Sequence, residues 1–434
     1  MFYVSAVLKR WGALLSYLCL FSILPSYAHA AIDSGDTAWI LTATALVLFM
    51  TLPGLALFYA GLVQPKNVVS VLMHHFAIAC LCSVLWVVAG YSIAFSDGSA
   101  WFGSLHNLFM SNITIESESG TIPESLFAAF QMTFAVITPA LIIGAYVERI
   151  KFSAVLIFSG AWLLVVYAPV THWVWGGGFM ASWGVMDFAG GIVVHATAGT
   201  AALICAIVLG KRRNFPTHLQ PPHSPILTMM GAAMLWIGWF GFNGGSALAA
   251  GQGAAMALIV THISASVASL VWMIIEWRKF GRPSVVGMVT GMVAGLATVT
   301  PASGFIGIPG GIILGIVGGY GCYIAVDIIR NKFGIDDSLD VFAVHGVGGI
   351  LGTLLVSILA TSSFSGLGLA DGMTVSSQFM VQLYSVGITV IWTALISFII
   401  LKLIQATSGI RISEQDELEG MDLTQHGERA YHDN

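Results

Sequence analysis

The chain has 434 residues, of which 57% are hydrophobic and only 9% charged, with a formal net charge of −5. A mean hydropathy of +0.88 excludes a soluble globular domain. The surplus acid lies mostly in Glu414, Asp416, Glu417, Glu419 and Asp422 near the end, and no nucleic-acid signature is present.

In chain order, residues 1–30 read as a secretory signal: Lys9 and Arg10, an apolar run, and Ala28-His29-Ala30 as an A-x-A cleavage site that leaves Ala31 as the mature N-terminus. Beyond it, apolar windows of about twenty residues predict membrane helices. They fall at 39–60, 68–95, 123–147, 152–167, 188–209, 225–242, 252–277, 285–300, 309–329, 341–359 and 378–404. The expected fold is an all-α polytopic membrane protein of about eleven transmembrane helices over residues 31–405, followed by a C-terminal tail, 406–434. Cys80, Cys82, Cys205 and Cys322 fall inside the apolar windows without CxxC spacing and read as buried small hydrophobes, neither disulfides nor metal ligands.

Loop charge gives the orientation. Lys66, Arg149 and Lys151, Lys211 to Arg213, Arg278, Lys279 and Arg282, Arg330 and Lys332, and Lys402 and Arg411 all follow odd-numbered helices, and no Lys or Arg follows an even-numbered one. Positive loops stay in the cytoplasm, so the N-terminus is expected outside and the C-terminus inside, in a cell (inner) membrane.

Two segments stand out. DFAGGIVVHATAG runs from Asp187 to Gly199 and DSLDVFAVHGVGG from Asp337 to Gly349; each places an acid eight residues before a histidine, His195 and His345, with a valine just ahead of it. On a helix that separation is about 12 Å, too far for a catalytic dyad. Two related helices five apart, each with one membrane-buried histidine, predict an inverted five-helix repeat plus a final helix, with a substrate path at the repeat interface. Gly191 and Gly199 flank His195 by four residues, and Gly349 follows His345 by four. Such small residues let backbones approach closely in lipid. Asp187, at the start of the fifth helix, is placed to accept first-turn N–H groups. His74, His75 and His262 lack a matched context and read as structural.

Aromatic residues gather toward the external side. Phe130 and Phe134 share one face of the third helix, Trp239 and Phe242 one face of the sixth ahead of a glycine break and Ser246, and THWVWGGG adds Trp173 and Trp175. An interfacial aromatic belt explains any one of these; together with a hydroxyl they also suit a small cation held by ring faces.

The DFAGGIVVHATAG, FQMTFAVITPALI, WFGFNGGS and LDVFAVHGVGG segments and the tail GIRISEQDELEGMDLTQHGE resemble, in order and over nearly the whole chain, the ammonium transporter family (Amt/Mep/Rh), close to its bacterial Amt branch. The resemblance implies a homotrimer of eleven-helix subunits, each with its own pore for ammonium or ammonia and the analogue methylammonium. By motif position it implies that Trp175, Phe134 and Ser246, with Phe130 beside them, form an external ammonium recruitment site. It further implies that Phe134 and Phe242 form a stacked aromatic gate and that His195 and His345 are a twin-histidine pair lining the pore. Asp187 resembles an acid that caps and orders backbone carbonyls near the recruitment site, and the tail is expected to pack on the cytoplasmic face under regulation by a PII-type protein.

The chemistry is consistent with this. A bare ammonium ion in a dry pore is costly, so deprotonation is the cheaper route. Two neutral imidazoles then offer donors and acceptors for ammonia and a separate relay for the proton. The expected function is transport without enzymatic activity or cofactor. The alternatives are an ammonium sensor reporting through the tail, a haem protein with His195 and His345 as axial ligands, and an intramembrane hydrolase, for which no Ser, His and acid set at matched depth is found.

Overall fold

A computed structural model describes residues 31–213, 215–217 and 220–431; the expected signal segment lies outside the described residues. Among the described residues, ten helices are long and apolar enough to cross a membrane, and an eleventh, shorter apolar helix lies among them. In chain order they are α1 (Ser34–Leu62), α2 (Pro65–Phe95), α3 (Glu124–Tyr146), α4 (Phe152–Ser182, with a turn after Val174), α5 (Gly191–Leu209), α6 (Pro225–Gly245), α7 (Gln252–Phe280), α8 (Val285–Val299), α9 (Ile308–Lys332), α10 (Phe342–Leu359) and α11 (Val375–Thr407). A two-residue hairpin, β1 (Glu118–Ser119) with β2 (Ile122–Pro123), precedes α3.

Among the helix limits that differ from the sequence reading, three have a clear local reason. The fourth helix does not stop at residue 167: a widened π turn, Leu163–Tyr167, stands just ahead of Pro169 and the helix continues to Val174. Proline blocks the carbonyl four residues back, and that carbonyl, of Val165, instead accepts the Trp392 indole N–H at 3.2 Å. The fifth helix starts at Gly191 rather than 188, because Gly190 takes the left-handed region at φ +113°. The sixth helix runs through its glycines to Gly245 instead of breaking. Those glycines are packing surfaces: a Cβ on Gly245 would sit 2.7 Å from Ala43 Cβ and 2.8 Å from the Phe130 ring. Cys80 also departs from expectation, lying exposed on the outer surface while Cys82, Cys205 and Cys322 are buried.

The end of the bundle that carries the basic loops is tied together by Arg149, which is fully buried. Its guanidinium donates to the carbonyls of Gly210, Val147, Ala145 and Asp336 and to Ser338 Oγ, joining the exits of α3 and α5 to the loop before α10. Burial pulls its pKa down to about 10, opposed by Asp336, so it remains a cation at neutral pH. The tail docks on this same end. Ile150 and Arg411 form an antiparallel bridge, Lys66 Nζ donates to the Glu417 and Leu418 carbonyls, and the Ser70 N–H donates to Asp422 Oδ1 at 2.8 Å. Two short helices, α12 (Glu414–Glu419) and α13 (Met421–His426), complete it.

Candidate functional site

The two singled-out histidines meet at the centre of the bundle. His195 and His345 are 1% and 4% exposed, their Nδ1 atoms lie 3.3 Å apart, and their rings are nearly parallel with centroids at 5.2 Å. Glycines make this approach possible. A Cβ on Gly199 would collide with Gly346, and one on Gly349 would sit 2.6 Å from His195 Cβ, so only bare backbone lets α5 and α10 cross this closely. Both histidines also sit in widened π turns, Gly191–Ala196 and Phe342–Gly346, a local geometry that recurs at functional positions and that nothing in the residue pattern announced.

From His195 a line of rings leads away from the basic end. His195 stacks at 6.1 Å on Phe242, Phe242 lies 4.4 Å from Phe134 at a 39° tilt, and Phe134 meets Trp175 edge-on at 5.8 Å, all between ring centroids. Phe130 packs edge-on against Phe134 at 5.1 Å. Ser246 joins through its hydroxyl, which donates to the Phe242 carbonyl at 2.8 Å. Two other tryptophans lie outside this line of rings. Trp239 stacks on His195 at 5.6 Å and donates to Thr300 Oγ1, which puts it on the pore. Trp173 is fully buried, its indole N–H donated to the Trp101 carbonyl, where it anchors the loop between α2 and α3.

Asp187 is a helix cap whose partners are N–H groups rather than carbonyls, since a carboxylate only accepts. Oδ1 receives the N–H of Gly190 and Gly191 and Oδ2 those of Ile192 and Val193, at 2.6 to 3.1 Å. Its own carbonyl receives the Trp175 indole N–H at 2.8 Å, so one residue fixes both the His195 helix and the Trp175 ring. Asp337 is not its equal: the Phe342 N–H donates to Oδ2 at 2.7 Å, and Oδ1 has no hydrogen-bond partner among the described residues. Burial, then Asp340, push its pKa up to about 7.

Beside Phe242 and the two histidines is a cavity of about 10 Å³, lined also by Val194, Leu235, Ile137 and Leu141, with room for about one water-sized molecule. On the other side of His345 the space opens into a vestibule of about 430 Å³ at the basic end, lined by Tyr59, Glu148, Arg212, Asp340 and Val344. Arg212 spans its wall, bound to Glu148 at 2.9 Å and Asp336 at 2.8 Å; burial alone would raise the Asp336 carboxyl, and the Arg212 bonds hold it below the usual range. Of the apolar lining, Ile137, Leu141 and Leu235 were missed in the sequence reading, although Ile137 and Leu141 follow Phe134 by three and seven residues and Leu235 precedes Trp239 and Phe242 by four and seven, on single helix faces.

The model of the Ammonium Transporter Family matches residues 38–431. The chain belongs to the ammonium transporter family. It is 44% identical over 421 residues to an ammonium transporter of Aquifex aeolicus, covering 95% of this chain and 97% of that one. It is 45% identical to ammonium transporter Amt1 of Archaeoglobus fulgidus, covering 92% and 100%. Among solved structures, Mep2 of Saccharomyces cerevisiae superposes with a TM-score of 0.80 at 33% identity, covering 89% and 90%, and a sensor Amt protein with 0.85 at 26%, covering 90% and 98%. Within this family the paired histidines and the narrow apolar passage are those of an ammonium-conducting pore, and the chain is a transporter rather than an enzyme.

Proposed function

We propose that this ammonium transporter captures the cation outside, at Trp175, Phe134 and Ser246 with Phe130 behind them, takes off its proton, and passes ammonia between Phe134 and Phe242 and along His195 and His345. The observation that carries this reading is the unbroken sequence of contacts from Trp175 through Phe134 and Phe242 to the two imidazoles. Ring faces attract a cation, but the path beyond them is apolar, and an unsolvated charge there is far more costly than a neutral amine. The histidines supply what ammonia needs. When one Nδ1 donates to the other, the two Nε2 atoms are left as one acceptor and one N–H, and His195 Nε2 has no protein partner among the described residues. Exchange of the two tautomers moves a proton equivalent along the pair, separately from ammonia. Uptake of labelled methylammonium by proteoliposomes tests the reading. A sensor without transport, the alternative raised by the sensor Amt likeness, would bind the amine and leave the vesicles empty.

The remaining assignments follow the same reasoning. The inverted repeat is supported by two histidine helices five apart that cross at their glycines; the N-out, C-in orientation is supported by basic loops and tail sharing one end. Tags after Ala31 and after Asn434 are expected to label from opposite sides of the membrane, and an external C-terminus would overturn the orientation. The tail, 406–434, is read as a regulatory segment and the vestibule face as the docking face for a PII-type protein, on a homotrimer of cleaved, mature chains, 31–434. Deleting everything after Gly409 removes the tail's bonds to Lys66, Ser70 and Lys151 and is expected to change methylammonium flux at least about twofold per inserted molecule; unaltered flux would leave the tail without a coupled role.

A further inference from the structure

Gln378 and Gln382 stand one turn apart on α11 and are 1% and 0% exposed, a setting in which an idle amide group is costly. Neither side chain is idle. Gln382 Oε1 accepts the Met186 N–H at 2.8 Å and the Gln378 amide at 3.2 Å. Its Nε2 donates to the carbonyls of Met186 at 2.7 Å and Thr353 at 2.9 Å. The Met186 N–H decides which end of this amide is the oxygen, since the reverse would set NH2 against N–H. Gln378 Nε2 donates in addition to the Gly184 carbonyl at 2.9 Å.

What the two glutamines grip is the stretch ahead of α5. Residues 183–190 belong to no helix or strand, so their buried backbone groups need partners from elsewhere. Gln382 supplies Met186 with both. On the other side of Asp187, the Phe188 N–H donates to the Pro301 carbonyl at 3.0 Å. Asp187 is therefore pinned through both of its chain neighbours. Its carbonyl in turn receives the Trp175 indole at 2.8 Å, so the place of that ring beside Phe134 depends on where Met186 is held. The remaining bond of Gln382, to Thr353, ties the same point to α10, the helix of His345.

We propose that Gln382, seconded by Gln378, is a positioning residue for ammonium capture, acting through Met186 and Asp187 on the Trp175 ring. The inference rests on the recruitment reading of Trp175, and the test separates the two. Half-saturation and maximal uptake of labelled methylammonium are measured in proteoliposomes, per inserted molecule, for wild type, Q382L, Q382E, Q378L, W175L and Q382L/W175L. Q382L is expected to raise half-saturation about tenfold, the worth of about one hydrogen bond. Maximal uptake is expected to fall less than about threefold, because a loosened binding group acts on capture more than on passage. Q382E keeps an acceptor for the Met186 N–H, and Q378L loses only the outer bonds, so each is expected to raise half-saturation roughly threefold. In the W175L background Q382L is expected to add less than about twofold, since a residue that acts through the ring has nothing to act on without it. Where Q382L yields no folded protein, Q382E and Q378L carry the same expectation. Wild-type half-saturation in the glutamine variants, with W175L raised, would overturn the proposal alone, as would a tenfold rise from Q382L that persists in W175L. A lower thermal midpoint or maximal uptake with half-saturation unchanged would assign the glutamines to stability only and also overturn it. Wild-type half-saturation in W175L would overturn the recruitment reading and the proposal with it.

Discussion

Asp187→Ala is expected to abolish recoverable folded protein. The carboxylate receives four backbone N–H groups in a site 5% exposed, and alanine leaves all four donors without a partner. Each buried donor left unpaired costs roughly 1–3 kcal/mol, and water has little access there. The combined loss, on the order of 5 kcal/mol or more, rivals the whole stability of a typical folded domain. The damage is also local to function, because the Asp187 carbonyl holds the Trp175 indole and the capped turn carries His195. Asp187→Asn keeps one accepting oxygen and turns an amide NH2 toward the other N–H groups, so it should fall between the two. Yield of monodisperse protein in detergent and its thermal aggregation midpoint are the readouts; wild-type values for the alanine variant would show that the cap is dispensable.

Replacing either pore histidine with aspartate is expected to open the path to potassium. A bare cation in the passage lined by Ile137, Leu141, Val194 and Leu235 faces a desolvation cost that reaches on the order of tens of kcal/mol in the idealised low-dielectric limit. Ammonium escapes it by leaving its proton behind, and potassium has no such route. An aspartate at 195 or 345 brings a fixed negative charge and its hydration into the narrowest stretch. Lowering the barrier for a cation by only about 3 kcal/mol raises its flux roughly a hundredfold. Ammonium flux can survive the same change, carried as the cation; selectivity cannot.

How far the sequence reaches differs between the helices and the site. Helix existence was legible throughout, because about twenty apolar residues between polar loops leave the backbone no other way to satisfy itself in lipid. Helix limits were not, where proline and glycine were read by their habits in water. Pro169 is absorbed by a widened turn and an indole donor on α11, and Gly244 and Gly245 face Trp39, Ala43 and Phe130 instead of ending α6. In the site, His195, His345 and Asp187 declared themselves by recurring in a matched pattern at a depth where polar groups are rare. Trp239 and Trp173 did not, since a tryptophan near a helix end looks the same in sequence whether it lines a pore, anchors a loop or faces headgroups. Arg149 was counted only as a loop charge. Its five acceptors come from segments as far apart as Ala145 and Ser338, a convergence that exists only once the chain is folded.

The central claim is that the pore conducts ammonium by a route closed to a cation that cannot lose a proton. Potassium and labelled methylammonium uptake, measured in the same proteoliposomes for wild type, His195→Asp and His345→Asp, tests it most directly. The account predicts methylammonium entry with no potassium above empty vesicles for wild type, and potassium entry for both variants. Potassium entry through the wild type, or variants that exclude potassium while methylammonium flux is unchanged, would contradict it.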